Sequence, residues 1–346
     1  MSRLSDFHFI PLTYRRILLC LRRKLVEVRR QNQLFIIGNG FDRAHGLPTG
    51  YEDFYRYLTR KDASLDEWLL LYDICEHIGD AFDEKGKFLW NEFETLLGKA
   101  DFQQDIMSSD EYAYDCSNED TDKDPDYYSY QNIVPLQALN NSENMLLEIF
   151  HRWINTIDVY QAKPMLSFQQ YITQGYSRFF TFNYTETLEK LYGCYNVEHI
   201  HGMAGDGTVL VGHGEDLKPE DEEHDMSECP FVSTGTMDDI EKYLNLLNVP
   251  NKLYNAWRKD VTGNIAKHQK YFESLNNINV IYSFGFSYNQ IDSPYIGEII
   301  RNLDYSRNVR WLLNSFDRSK FNDYSKCIRS FGFKGKIGEF CCKANA

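Results

Sequence analysis

Gln33-Leu34-Phe35-Ile36-Ile37-Gly38-Asn39-Gly40-Phe41-Asp42 is the stretch whose reading decides the fold. A short, mainly apolar run that stops at a glycine fits a fully buried strand of a parallel sheet. Such a strand is covered on both faces and needs no polar alternation. Gly38 and Gly40 sit just past its end. Lacking Cβ atoms, they adopt backbone conformations closed to other residues and let a phosphate come near the amides. A helix that follows such a turn presents free N–H groups and the positive end of its dipole. Arg43 stands where the dinucleotide fingerprint has its third glycine. Asp42 can bond a ribose hydroxyl or cap the turn. A purely structural turn between strand and helix is the competing reading.

The same pattern recurs downstream. Phe179 to Phe182 reads as a strand ending at Asn183, followed by a helix over 185–195 with Leu188, Leu191 and Tyr192 on one face. Val197 to His201 is a short strand, and Val209 to Val211 another, ending at Gly212-His213-Gly214. Asn279 to Phe284 is a strong strand ending at Gly285-Phe286-Ser287, with Asp292 beyond. A helix over 292–303 and a strand over 309–313 follow. Thr49 and Glu52 have capping-box spacing and predict a helix carrying Tyr51, Phe54, Tyr55 and Leu58 on one side. Helical spacing also marks 65–105, 143–157 and 238–275. Strands alternating with helices predict an α/β fold: a doubly wound, Rossmann-like parallel sheet with large helical insertions. Each candidate functional residue lies just past a strand's C-terminal end, the edge where ligands bind in such sheets.

Residues 1–30 are expected to form a basic helical extension, and 31–346 the main domain. Within that domain a helical insertion is expected at about 59–160 and an acidic, helical one at about 215–275. The segment 108–130 and the charge run 215–228 read as solvated loops.

Of 346 residues, 42% are hydrophobic and 25% charged, the balance of a folded globular chain. The net charge of -14 argues against a nucleic-acid partner, since an acidic surface repels phosphate. Eight cysteines are scattered without a Cys-x-x-Cys pair, which predicts a reduced cytoplasmic protein without a four-thiolate zinc site. No apolar run reaches the length of a membrane span. There is no Gly-x-Ser-x-Gly elbow for a serine hydrolase.

Three further positions can carry chemistry. Asn183 can aim its amide at a ribose hydroxyl or a carboxamide, or cap the following helix. His199 and His201 share one strand face. His201, followed by Gly202, can take a proton from a hydroxyl or from water. His213 has a similar setting, but no spacing with His201 specifies a metal, and none is expected. Ser287 can bond a phosphate or ribose oxygen.

Together these motifs closely resemble the AbiH family of bacterial abortive-infection, phage-defence proteins. The resemblance rests on Phe35 to Asp42 with His45-Gly46-Leu47-Pro48-Thr49, on Phe180-Thr181-Phe182-Asn183-Tyr184-Thr185 with Leu188-Glu189, and on Ile200-His201-Gly202. It continues in Leu210 to Gly214 and in Gly285-Phe286-Ser287 with Asp292 and Tyr295. It covers about residues 33–300. The family in turn looks distantly similar to sirtuin-type NAD-binding domains. That resemblance implies that Gly38, Asn39, Gly40 and Phe41 hold NAD, that Asn183 sits by the nicotinamide ribose, and that His201 is the base. Gly285 and Ser287 would contact the adenosine side, with Asp42, Thr181 and Asp292 completing the binding set. Paired zinc cysteines are absent from the chain, and Tyr184-Thr185 replaces the sirtuin Asp. The implied reaction is therefore NAD hydrolysis to ADP-ribose and nicotinamide rather than deacetylation. A non-catalytic nucleotide-sensing or scaffold component of a defence complex is the alternative. A homo-oligomer or a defence-system partner protein is expected in either case.

Overall fold

The structure, a computed structural model, describes residues 31–78, 82–89, 92–99, 145–173, 175–207, 209–214, 237 and 249–342. The expected N-terminal extension, the acidic segment 108–130 and the charge run 215–228 lie outside the described residues.

Six strands form one sheet in the order β3-β2-β1-β4-β5-β6, and every pairing is parallel. They are β1 (Gln33–Ile37), β2 (Ser177–Thr181), β3 (Val197–His199), β4 (Val280–Phe284), β5 (Arg310–Asn314) and β6 (Lys336–Phe340). The chain fills one half of the sheet outward from β1, then crosses to β4 on the other side of β1. This is the doubly wound order, and its reversal between β1 and β4 opens a crevice beyond the strand ends. Register makes those ends level, because Ile37 sits opposite both Thr181 and Phe284.

The helices are α1 (Asn39–Ala44), α2 (Tyr51–Leu58), α3 (Leu65–Ile78), α4 (Phe93–Leu97), α5 (145–155), α6 (Leu166–Gln169), α7 (Thr187–Tyr192), α8 (Val249–Ala256), α9 (Val261–Lys267), α10 (Gln269–Glu273), α11 (Ser293–Arg301) and α12 (Phe321–Ser330). Alternate residues of the central strands face opposite cores. Leu34 and Ile36 pack with Ile296, Ile299, Trp311 and Ile328 on one side. Phe35 and Ile37 pack with Phe41, Phe168, Leu188 and Phe340 on the other. Covering both faces is what a fully parallel sheet requires. A third cluster lies off the sheet, where Phe54, Phe93, Phe150 and Trp153 of the helices between β1 and β2 meet Leu253 and Trp257.

Three local expectations are corrected. Val209 to Val211 is not a sheet strand: the chain turns straight back after β3, Gly202 bridges Val209 antiparallel, and β3 remains the sheet edge. The expected Thr49–Glu52 capping box does not form, and half of one appears one residue later. Gly50 precedes α2 and donates its N–H to Asp53 Oδ2 at 3.0 Å, while Thr49 is engaged with Asn39. The helix α12 and strand β6 extend the fold past the last strand read from sequence. Among the described residues, no helix is long and apolar enough to cross a membrane.

Candidate functional site

The turns after β1 and β4 cross at the switch point in backbone-to-backbone contact. Gly38 N–H donates to Phe284 O at 3.0 Å and Gly40 N–H to Gly285 O at 3.0 Å. A Cβ on Gly38 would lie 2.5 Å from Gly285 O, and one on Gly40 2.7 Å from Gly285 Cα. Gly285 has φ +69°, and a Cβ there would meet Phe41 N at 2.3 Å. Backbone at this separation admits only glycine. The three glycines therefore serve first to interlock the two turns. Of the amides from Gly38 to Phe41, that of Asn39 has no partner among the described residues. The Asn39 side chain instead fastens the following loop: Nδ2 donates to Thr49 O at 2.7 Å, and Oδ1 accepts from Thr49 Oγ1 at 2.5 Å.

A cavity of about 650 Å³ opens over this crossing. Gly38, Asn39, Gly40, Asp42, Asn183, His201, Gly285, Ser287 and Asp292 all line it, so nine of the sequence-predicted site residues meet at one place. Phe41 and Thr181 do not line it. The Phe41 ring is fully buried against Phe168 and Phe284, because the outward side of its turn faces the core. Thr181 ends β2, and its Oγ1 accepts the Asn183 N–H at 3.1 Å.

That bond is one of two that fix the Asn183 backbone. The other comes from His199, whose Nδ1 lies 2.9 Å from Asn183 O while its Nε2 meets Glu189 Oε1 at 2.9 Å. His199 is thus a brace rather than a second base. The N-cap of α7 is Glu186, so Asn183 does not cap that helix. Asn183 Oδ1 is buried and unpartnered. Beside it, Asp42 Oδ2 accepts from Thr185 Oγ1 at 2.5 Å, while Asp42 Oδ1 is also unpartnered. Burial pushes the Asp42 carboxyl up to about 6, against the hydrogen bonds of Thr185, Thr187 and Asn183. Buried polar atoms without partners are uncommon and mark places where a ligand or water is needed.

The opposite wall holds a buried chain of charges. His201 Nε2 lies 3.3 Å from Asp292 Oδ1, Asp292 Oδ1 lies 3.6 Å from Lys259 Nζ, and Lys259 Nζ lies 2.6 Å from Glu94 Oε1. The His201 and Asp292 atoms face each other without the alignment of a full hydrogen bond. Burial holds the His201 imidazole below its ordinary value, and the Lys259 ammonium pushes the same way, with Asp292 opposing. Burial alone would raise Asp292, but Lys259 and His201 outweigh it and keep the carboxyl ionised. Lys259, whose burial favours the neutral form, is held protonated by Asp292 and Glu94. Asn289 steadies Asp292: its Nδ2 donates to Asp292 Oδ2 at 3.2 Å, and its Oδ1 accepts the Asp292 N–H at 2.7 Å. The site thus offers a neutral imidazole beside a fixed carboxylate, and a carboxyl–amide pair across the cavity.

The family profile described as bacteriophage abortive infection AbiH matches residues 34–315. The chain belongs to the AbiH family. The family's setting is phage abortive infection, and this chain shares it. No curated protein and no solved structure matches the chain.

Two residues of the AbiH site are absent from the sequence reading, Lys259 and Glu94. Glu94 reaches the cavity from α4, in the helices between β1 and β2. Lys259 is placed by Gly212-His213-Gly214. His213 N–H donates to Trp257 O at 2.8 Å, and Lys259 N–H donates to His213 O at 2.7 Å. A Cβ on Gly212, at φ +148°, would lie 1.9 Å from Trp257 O. The His213 ring is buried with Nε2 at 2.7 Å from Tyr254 O. The motif acts as a clamp on the segment that delivers Lys259, and this paired-glycine pattern was the one sequence signal pointing there.

Proposed function

We propose that this AbiH protein is an abortive-infection effector that binds NAD across the sheet edge and hydrolyses its nicotinamide–ribose bond. One observation carries the reading. Asn183 and His201, from the ends of different strands, bound the same cavity as the Gly38–Gly40 turn. In the reaction, water attacks the ribose C1′ as the C–N bond to nicotinamide breaks, and the bonding pair leaves with the ring nitrogen. The water proton passes to His201, which burial keeps neutral and ready to accept it. Asp292, at 3.3 Å, stabilises the imidazolium that forms. Asn183 Oδ1 orients the ribose or the water. The products are nicotinamide, ADP-ribose and a proton. Positioning and fixed charge supply the rate enhancement. The setting is the bacterial cytoplasm, where a partner protein or assembly of copies restrains until infection the turnover that the purified protein shows.

The test is NAD consumption by purified wild type, His201→Ala and Asn183→Ala. Both variants turn over far more slowly than wild type; equal rates in all three contradict the assignment. Nucleotide sensing without turnover is the competing outcome. NAD or ADP-ribose binding without product would select it.

A further inference from the structure

The cavity runs past the strand ends of both halves of the sheet. His201 follows β3, Asn183 follows β2, Gly38 follows β1, Gly285 follows β4 and Phe316 follows β5, and all five line it. With strands spaced about 4.8 Å apart, the span from β3 to β5 is about 19 Å. That length suits two ring systems joined through phosphates rather than one. Among the described residues that line the cavity, the buried polar atoms left unpartnered are Asp42 Oδ1, Asn183 Oδ1, His201 Nε2 and Asp292 Oδ1. The β5 end is different in kind. Phe316 opens the short 3-10 helix Ser315–Lys320 with its side chain 80% exposed. Lys320 closes that helix, and Tyr324 follows in α12; both line the cavity too. Single exposed apolar side chains are ordinary on a surface. Among the described residues, however, Phe316 is the one strongly exposed large apolar side chain that also lines the cavity. The cations that line the cavity are Arg43, in α1 after the glycine turn, Lys259, committed to Glu94 and Asp292, and Lys320, the one at the β5 end.

We propose that Phe316 is a stacking platform for the nucleobase remote from the reacting sugar, with Lys320 beside its phosphates, so that the ligand is a purine dinucleotide lying with its base on β5. A flat ring stacks on a phenyl face without needing a defined hydrogen-bond pattern. The ammonium at the end of the same helix supplies the charge that a phosphate requires. This rests on the dinucleotide reading above and gives the base a stacking partner beyond the Gly285–Ser287 turn, where the resemblance puts the adenosine side.

ADP separates the two ideas, because it carries the base and phosphates but no scissile nicotinamide bond. Titration calorimetry is run on the full-length protein with ADP and with nicotinamide mononucleotide, which lacks the purine. Phe316 is exposed, so its variants keep the fold. Phe316→Ala weakens ADP about tenfold and leaves nicotinamide mononucleotide unchanged, while Phe316→Trp retains ADP binding. Lys320→Ala weakens ADP and flattens its salt dependence. Equal ADP affinity in wild type and Phe316→Ala overturns the platform, as does an equal loss for both ligands or no ADP binding by wild type. ADP binding governed by Phe316 without NAD turnover removes the hydrolase reading and keeps the platform. NAD turnover with ADP binding indifferent to Phe316 does the reverse.

Discussion

His201 Nε2 and Asp292 Oδ1 stand 3.3 Å apart in the cavity wall, and neither atom is held in an aligned hydrogen bond. The pair is poised between two states. Burial keeps the imidazole neutral at rest, and the carboxylate stabilises it once it takes a proton. His201→Ala lowers turnover by about 10²–10⁴-fold, the usual worth of a general base. Asp292→Asn keeps the shape and removes the charge that raises the imidazole. Its acid limb in the pH profile of kcat/KM therefore moves to lower pH. An unmoved limb rules out the coupling.

Asp42 gives a stability test with a defined sign. Its carboxyl titrates near 6 when folded and at an ordinary 3.8 when unfolded, so the folded state binds the proton more tightly. Stability falls as pH rises through that window, and above about 6 the full cost, about 3 kcal/mol, is present. Asp42→Asn removes it. Urea unfolding should find the variant more stable at pH 8 and the gap nearly closed at pH 4. A gap that ignores pH contradicts the assignment. His201 works the other way: its folded value lies below the ordinary 6.5, so its contribution is present above 6.5 and is lost as pH falls.

Lys259→Met should cost about 3–5 kcal/mol in chemical denaturation, because Glu94 and Asp292 are left buried without their shared cation. Gly212→Ala should lower turnover without touching ligand, by pushing the Trp257–Lys259 segment aside. Wild-type stability in Lys259→Met would show that the buried charges are not coupled.

The glycines of the crossing should separate sharply from an ordinary turn glycine. Gly285→Ala forces a Cβ to 2.3 Å from Phe41 N at a positive φ, and soluble folded protein should be lost. Gly46→Ala, at φ +77° with open space around it, costs only about 1–2 kcal/mol of left-handed strain. Thermal melts of the two variants make the comparison, and similar melting temperatures would refute it.

Much of the fold was readable from residue type. The strands β1 and β4 are mainly apolar runs that stop at Gly38 and Gly285, and β2 carries the pair Phe179-Phe180 two residues ahead of Phe182-Asn183, because these central strands are buried on both faces. The strand β6, Lys336-Ile337-Gly338-Glu339-Phe340, escaped because an edge strand is half solvated and carries no such run. Nine site residues were legible because the strand ends that bear them share one edge of the sheet. Lys259 and Glu94 were not. Their pairing joins segments far apart in sequence, and a buried lysine looks like any surface lysine until its partners are placed. The reading of Gly38 and Gly40 needed the β4 turn in view, since the group that presses on them is backbone.

The account stands most directly on one assay. Purified full-length protein is incubated with NAD, and the mixture is resolved by mass spectrometry. The account predicts nicotinamide and ADP-ribose in equal amounts, formed at least about a hundredfold more slowly with His201→Ala. Intact NAD with the wild-type protein, or product formation undiminished by His201→Ala, would contradict it.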